Sequence, residues 1–152
     1  MSAIRPWMIV LLLLPAAVPA ADDSSSAPAD PVLAAAREAV GRQEYAKAAA
    51  VLRAAVDKGA ANAEHHNLYA YALRNGPKPD MDLVFTHYQE ALRLEPKHRG
   101  AHEYIGEAYL MVDNPAKAKE HLARLDRLCF FGCAEYTDLK KAIAAYEAKR
   151  PR

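Results

Sequence analysis

The chain has 152 residues, of which 52% are hydrophobic and 26% charged. This is the size of one domain with enough apolar side chains for a packed core, which excludes global disorder. Lys and Arg number 20 against 19 Asp and Glu, so the basic surplus typical of nucleic-acid-binding proteins is missing. Threonine occurs only at Thr86 and Thr137 in an alanine-rich chain, which disfavours an all-β fold.

The first twenty residues have the pattern of a secretory signal peptide. Arg5 is their only charge, residues 7–14 are an apolar run, and Pro15 and small residues follow up to Ala20. We therefore predict cleavage after Ala20 and a periplasmic or secreted protein. An uncleaved membrane anchor is the alternative, but a spanning helix needs about 20 apolar residues and this stretch is shorter. After cleavage we expect no attachment to a membrane.

Residues 21–30 are small, polar and proline-containing, which predicts a flexible linker. Helical periodicity begins after the cap-like pair Asp30-Pro31, and further start signals are Asn62 and Asn114-Pro115. Glycines and prolines separate the periodic stretches. The pattern predicts seven helices and a frayed tail over 149–152; the helices cover about 31–40, 45–58, 63–75, 80–95, 98–112, 115–129 and 134–148.

The helices repeat at a nearly constant interval. Ala48, Val84 and Ala118 are separated by 36 and 34 residues, and a large apolar residue follows each after four positions. This spacing resembles the tetratricopeptide repeat family, whose pattern is W-x₂-L-G-x₂-Y, then A-x₃-F, then P. The third repeat matches best, the second less well and the first is degenerate. The matching first-helix segments are His102-x₂-Ile105-Gly106-x₂-Tyr109, His66-x₂-Tyr69-Ala70-x₂-Leu73 and Val32-x₂-Ala35-Ala36-x₂-Ala39.

The resemblance implies an all-α, right-handed solenoid of about three hairpins over 31–61, 62–97 and 98–129. A capping helix over 133–148 would close it with an apolar stripe that includes Leu139 and Ile143. The small residues Ala36, Ala70 and Gly106 would let the two helices of each hairpin approach closely. An ordinary helical bundle with the same periodicity is the alternative.

The resemblance also implies a concave groove that binds a peptide or a partner protein. Positive charge from Arg37 and Arg74 would lie at one end and negative charge from Glu103 and Glu107 at the other, with Tyr71 between them. The alternative is that these are solvated helix faces. The groove residues implied are Leu33, Arg37, Val40, Asn67, Tyr71, Arg74, Glu103, Glu107 and Leu110.

Both cysteines lie in the segment Cys129-Phe130-Phe131-Gly132-Cys133. Gly132 can adopt a positive φ and fold the chain so that the sulfurs meet, and an oxidising compartment favours the bond. We therefore expect a structural disulfide, with reduced buried thiols or a redox or metal site as alternatives.

Two histidine arrangements raise the question of a metal. His98 and His102 are four residues apart, and His121 with Cys129 and Cys133 offers ligands for copper(I). Packing and helix-start roles account for the histidines more simply, and no carboxylate pair supports either cluster. We predict no metal and no cofactor.

No nucleophile, zinc-protease or phosphate-loop motif is present, so we do not expect an enzyme. The sequence favours an exported scaffold for an unidentified protein or peptide partner, with no nucleic acid involved. One alternative is an envelope metal or redox accessory protein that uses Cys129 and Cys133. The other is a purely structural subunit that joins a larger assembly through helix seven.

Overall fold

The computed structural model describes residues 30–149, and within them it contains seven α-helices and no strand. The predicted all-α class and the predicted number of helices are thereby confirmed. The predicted signal peptide, the linker up to residue 29 and residues 150–152 lie outside the described residues. None of the seven helices has the length and apolar composition that a membrane span needs. The helices are α1 (Pro31–Gly41), α2 (Tyr45–Asp57), α3 (Ala63–Arg74), α4 (Met81–Leu94), α5 (Arg99–Met111), α6 (Pro115–Leu128) and α7 (Ala134–Ala148).

Side-chain caps explain where the helices begin. The Asp30 carboxylate accepts the backbone N–H of Val32 at 2.9 Å, and the Asn62 amide oxygen accepts that of His65 at 3.1 Å. Asn114 accepts the Lys117 N–H at 3.2 Å in the same way. These bonds satisfy N–H groups that have no partner inside the helix. The helix starts predicted at Asp30, Asn62 and Asn114 are confirmed.

The helices form two rows. Each helix packs against the next one in the chain, and in addition α1 contacts α3, α3 contacts α5, and α5 contacts α7. Within the described part of the chain, α2, α4 and α6 do not contact one another. The odd-numbered helices therefore make one continuous row, which we name the inner row, and the even-numbered helices pack against it as the outer row.

The hydrophobic core is distributed along the two rows rather than centred at one point. One cluster joins α1, α2 and α3 through Leu33, Leu52 and Leu68, and a second joins α3, α4 and α5 around Tyr88 and Ile105. A third cluster joins α6 and α7 through Leu125, Leu139 and Ile143, with Tyr109 and Leu110 of α5 packed against it. Because successive clusters share helices, no hairpin buries its apolar face alone.

The first and third hairpins turn in the same way. Gln43 and Asp113, seventy positions apart, both have φ of 60°. In each turn this residue donates its N–H to the carbonyl three positions back, and the next residue donates to the carbonyl five positions back. The left-handed conformation reverses the chain in a few residues. The second hairpin has a longer connection through residues 75–80.

Gly106 makes a closer contact than any other glycine among residues 30–149. A Cβ atom placed on it would lie 2.7 Å from Cδ2 and 2.8 Å from Cδ1 of Leu139. Leu139 is fully buried in α7. Gly106 therefore lets α5 and α7 approach each other, a contact outside its own hairpin that the sequence analysis did not expect.

Candidate functional site

A cleft of about 470 Å³ opens on the inner row of helices, between α1, α3, α5 and the start of α7. Four residues of the predicted groove line it: Arg37, Val40, Asn67 and Glu103. Sequence reasoning missed the other polar and aromatic lining residues, because they become neighbours only when successive hairpins stack. Those residues are Glu64, His98, Tyr104 and Glu135.

Glu64 is the centre of a hydrogen-bonded group on one wall of the cleft. Arg37 donates to it at 2.7 Å, His98 Nε2 at 3.0 Å and Asn67 Nδ2 at 3.2 Å. His98 Nδ1 already accepts the N–H of Ala101 as the cap of α5, so Nε2 must carry the proton. Burial opposes ionisation of Glu64, but the bonds from His98, Arg37 and Asn67 outweigh it and lower its pKa to about 2. The bond to Glu64 raises the pKa of His98.

Arg74 and Glu107 form a second ion pair across α3 and α5. Arg74 Nη2 lies 2.7 Å from Glu107 Oε2, and Arg74 is only 7% exposed. Its guanidinium lies 5.5 Å from the ring centroid of Tyr71 and 5.8 Å from that of Tyr104, within cation–π range. The expected separation of positive and negative ends is therefore wrong, because both groove arginines are already paired with carboxylates.

Tyrosine side chains form a row beside this ion pair. The ring centroids of Tyr45 and Tyr71 are 6.3 Å apart, and those of Tyr71 and Tyr104 are 4.8 Å apart. Tyr71 and Tyr104 are each half-buried. Their contacts with Arg74 and with each other fix the rings, so the exposed parts offer rigid apolar area to a ligand.

Glu103 differs from the other carboxylates of the cleft. Within residues 30–149 no hydrogen bond or ion pair reaches it, whereas Glu64, Glu107 and Glu135 all have cationic partners. Burial, followed by the negative charges of Glu107, Asp138 and Glu135, raises the pKa of Glu103 to about 7.

Two residues of the predicted groove face the core instead. Leu33 is 7% exposed and packs in the cluster with Ala36 and Leu52. Leu110 is partly buried against the cluster of α6 and α7. The prediction that Leu33 lines the groove is wrong, because its side chain is part of the core shared by α1, α2 and α3.

A pair of histidines joins the two helices of the second hairpin, and an equivalent pair joins those of the third. His66 Nδ1 lies 3.0 Å from His87 Nδ1, and His102 Nδ1 lies 2.9 Å from His121 Nδ1. The members correspond at separations of 36 and 34 residues, which are the separations of the repeats. Alignment of the repeats could therefore have found both pairs from the sequence.

The protons of the second pair can be assigned. His102 Nε2 lies 3.1 Å from the carbonyl oxygen of Pro96, which only accepts, so Nε2 carries the proton. In a neutral ring Nδ1 of His102 is then the acceptor, and His121 donates through its own Nδ1. Burial, followed by the nearness of His102, lowers the pKa of His121 to about 4. Burial also lowers the pKa of His102, His66 and His87.

The cysteines and the histidines do not come together. Cys129 and Cys133 form a disulfide of 2.06 Å, as expected from the sequence. Glu135 lies close enough to the sulfurs to complete a three-donor group, but sulfurs in a disulfide are not thiolate ligands. His98 bonds to Glu64 and His102 to His121. Among residues 30–149, no group of three closely spaced metal donors includes a histidine.

The disulfide closes a short loop with two exposed phenylalanines at its tip. Phe130 is 87% exposed and Phe131 is 97% exposed, with ring centroids 5.1 Å apart. The loop joins α6 to α7, and Cys133 caps α7 by accepting the Tyr136 N–H at its sulfur.

Comparison of the chain with protein-family models, with curated proteins and with solved structures gives no match.

Proposed function

We propose that residues 31–129 form three hairpins of the tetratricopeptide type, stacked as a right-handed solenoid and capped by α7. We further propose that the protein is a non-enzymatic scaffold that binds a peptide or a segment of a partner protein. The binding surface would be the inner row of helices, from the tyrosine row around Tyr71 to the cleft that contains Glu103. The observation that carries this proposal is the cleft of about 470 Å³ on the inner row.

Three repeated features support the assignment to repeats. The turns at Gln43 and Asp113 share their hydrogen bonds, the histidine pairs recur with the period of the helices, and α1, α3 and α5 contact each other in order. An ordinary bundle does not need equal spacing of turns and buried polar pairs. Repeats of this kind present one continuous surface made of equivalent helices.

The composition of the inner surface supports peptide binding. Tyr71 and Tyr104 give rigid aromatic area, which is frequent among the residues that dominate binding energy. Arg37 and Arg74 are each held by a carboxylate, so a ligand meets a largely preorganised surface and loses less free energy in ordering it.

A photo-crosslinking amino acid placed at position 40 or 71 tests this surface in the native cell. We expect the same discrete adduct from both positions and none from position 53, which is exposed on the outer helix α2. With the partner identified, Tyr71→Ala should weaken binding by about 1–2 kcal/mol. Adducts from position 53 alone, or unchanged affinity of a folded Tyr71→Ala variant, would contradict the proposal.

We also propose that the protein is exported to the periplasm or secreted after cleavage at Ala20. The charge, apolar run and small residues of positions 1–20 support this, and the disulfide is of a kind that persists in oxidising compartments. N-terminal sequencing of the exported protein should find Ala21 first. A mature chain beginning at Met1 would exclude cleavage.

The loop between α6 and α7 favours a second candidate function, that of a structural subunit. Phe130 and Phe131 are the most exposed large apolar side chains of the described residues, and such surfaces are frequent at protein contacts. Crosslinking from position 131 tests this candidate separately. An adduct at 131 with none at 40 or 71 would favour it over the groove.

A further inference from the structure

The charges on the inner surface cancel in pairs, with one exception. Arg37 is paired with Glu64, and Arg74 with Glu107. Glu103 lies beside these pairs and lines the cleft without a counter-ion among residues 30–149. A half-buried carboxylate without a partner loses hydration and gains no compensating bond, which makes it a strong acceptor for a cation that enters the cleft.

A second acceptor lies in the same cleft. Asn67 is 3% exposed, and its Nδ2 donates to Glu64 at 3.2 Å. Its Oδ1 is buried and accepts no hydrogen bond within the described residues. Buried amide oxygens usually have a donor. The Asn67 Oδ1 atom and the Glu103 carboxylate thus both lack a hydrogen-bond donor among residues 30–149.

An aromatic ring completes the lining. Tyr104 lies next to Glu103 in α5 and lines the cleft with it. Its ring already attracts one cation, the guanidinium of Arg74. Aromatic faces, carboxylates and amide oxygens together are the surroundings that ammonium and guanidinium groups prefer.

On the basis of the peptide groove proposed above, we propose that the cleft formed by Asn67, Glu103 and Tyr104 binds the side chain of a lysine or arginine in the partner peptide. The cationic nitrogen would donate to the Glu103 carboxylate and to Asn67 Oδ1. The partner would therefore carry a basic residue next to the part of the peptide that contacts the tyrosine row.

The proton on Glu103 makes binding depend on pH. Burial raises its pKa to about 7 together with the charges of Glu107 of α5 and of Asp138 and Glu135 of α7, while Arg74 of α3 acts in the opposite direction. The remaining charged or titratable residues of the cleft near Glu103 are Arg37, Glu64 and His98. Because a cation binds the ionised carboxylate, affinity should rise as the pH increases from 5 to 8 and then level off. Binding below pH 7 should release a proton.

The test is an NMR titration of the purified protein with three blocked tripeptides: acetyl-Ala-Lys-Ala-amide, the same peptide with norleucine in the centre, and the same with glutamate. We expect saturable shifts of the Asn67, Glu103 and Tyr104 amide resonances with the lysine peptide. The norleucine and glutamate peptides should bind at least about fivefold more weakly. Glu103→Gln should remove this preference and the pH dependence. Glu38→Gln, which changes an exposed carboxylate of α1 outside the cleft, should leave both unchanged.

The outcomes separate this inference from the groove itself. Equal binding of the lysine and norleucine peptides at the cleft would overturn the cationic subsite and leave the groove in place. Shifts scattered over the surface, or equal loss in the Glu38→Gln and Glu103→Gln variants, would also overturn it. Failure of the groove is detected independently by the crosslinks from positions 40 and 71.

Discussion

His102 and His121 share a hydrogen bond between their Nδ1 atoms, 2.9 Å apart, and this bond links α5 to α6. One ring donates and the other accepts, a bond that two neutral rings can form. Burial favours this neutral state and lowers the pKa of both histidines. Protonation of His121 brings a charge into a buried pair whose other member is held by Pro96.

This pair should make the protein less stable in acid. The pKa of His121 is about 4 in the folded protein and 6.5 as its ordinary value, so between these limits the unfolded chain binds more protons. The stabilisation that comes from neutral His121 is complete above pH 6.5 and is lost as the pH falls toward 4. This loss lowers the free energy of unfolding by about 1–3 kcal/mol. His121→Asn keeps an N–H donor near the position of Nδ1 and does not titrate. Urea unfolding at pH 7 and pH 4 should show a smaller loss of stability in this variant. An equal loss would mean that His121 does not titrate in this range.

Ionisation of Glu103 should change the stability with pH in the opposite direction. Its pKa of about 7 lies above its ordinary value of 4.5, so the folded protein binds more protons between these limits. Stability therefore decreases as the pH rises from 4.5 to 7. Glu103→Gln should raise the free energy of unfolding at pH 8 by roughly 1–3 kcal/mol and change it little at pH 4. A variant that is equally stabilised at both pH values would show that its effect is unrelated to the carboxylate charge.

Larger residues at position 106 should lower stability while Leu139 faces it. Gly106→Ala would place Cβ less than 3 Å from the Leu139 methyl groups, and overpacking of this kind costs about 1–3 kcal/mol. Part of this is offset by the better helix propensity of alanine, about 1 kcal/mol. Thermal unfolding should show a lower midpoint for Gly106→Ala and a still lower one for Gly106→Leu. In a Leu139→Ala background Gly106→Ala should become neutral or stabilising, and Gly41→Ala, with open space around it, serves as the control.

The disulfide should make a modest contribution confined to the end of the molecule. It closes a loop with a sequence separation of only 4, so the chain-entropy contribution is about 2 kcal/mol. Cys129→Ser with Cys133→Ser keeps a cap for α7, because serine is itself a favourable N-cap residue. We expect this double variant to lose about 2 kcal/mol of stability. Amide exchange should become faster in α7 and stay unchanged in α1. Alkylation of unreduced protein should add no mass, and two alkylated thiols would exclude the bond.

The sequence predicted local features well because their causes are local. Asp30, Asn62 and Asn114 cap helices that begin one residue later, and those interactions depend on neighbours in the chain. The ion pairs of the inner row of helices join residues far apart in the chain, such as Arg74 and Glu107. Their meeting depends on the register between hairpins. Stacked repeats bring positions about one period apart into contact. The repeat period could therefore have suggested an ion pair between residues such as Arg74 and Glu107. The prediction assigned Arg74 and Glu107 to opposite ends of the groove and missed this.

The positions of the aromatic residues determine the intrinsic fluorescence of the protein. Its single tryptophan is Trp7, in the segment expected to be removed, whereas all eight tyrosines lie between residues 45 and 146. A chain without the first twenty residues therefore has only tyrosine emission, with no indole to mask it. Tyr71 and Tyr104 lie 4.8 Å apart on the inner surface, so a ligand that covers them changes the surroundings of two of the eight emitters. Binding to this surface can then be followed by intrinsic fluorescence, without a label.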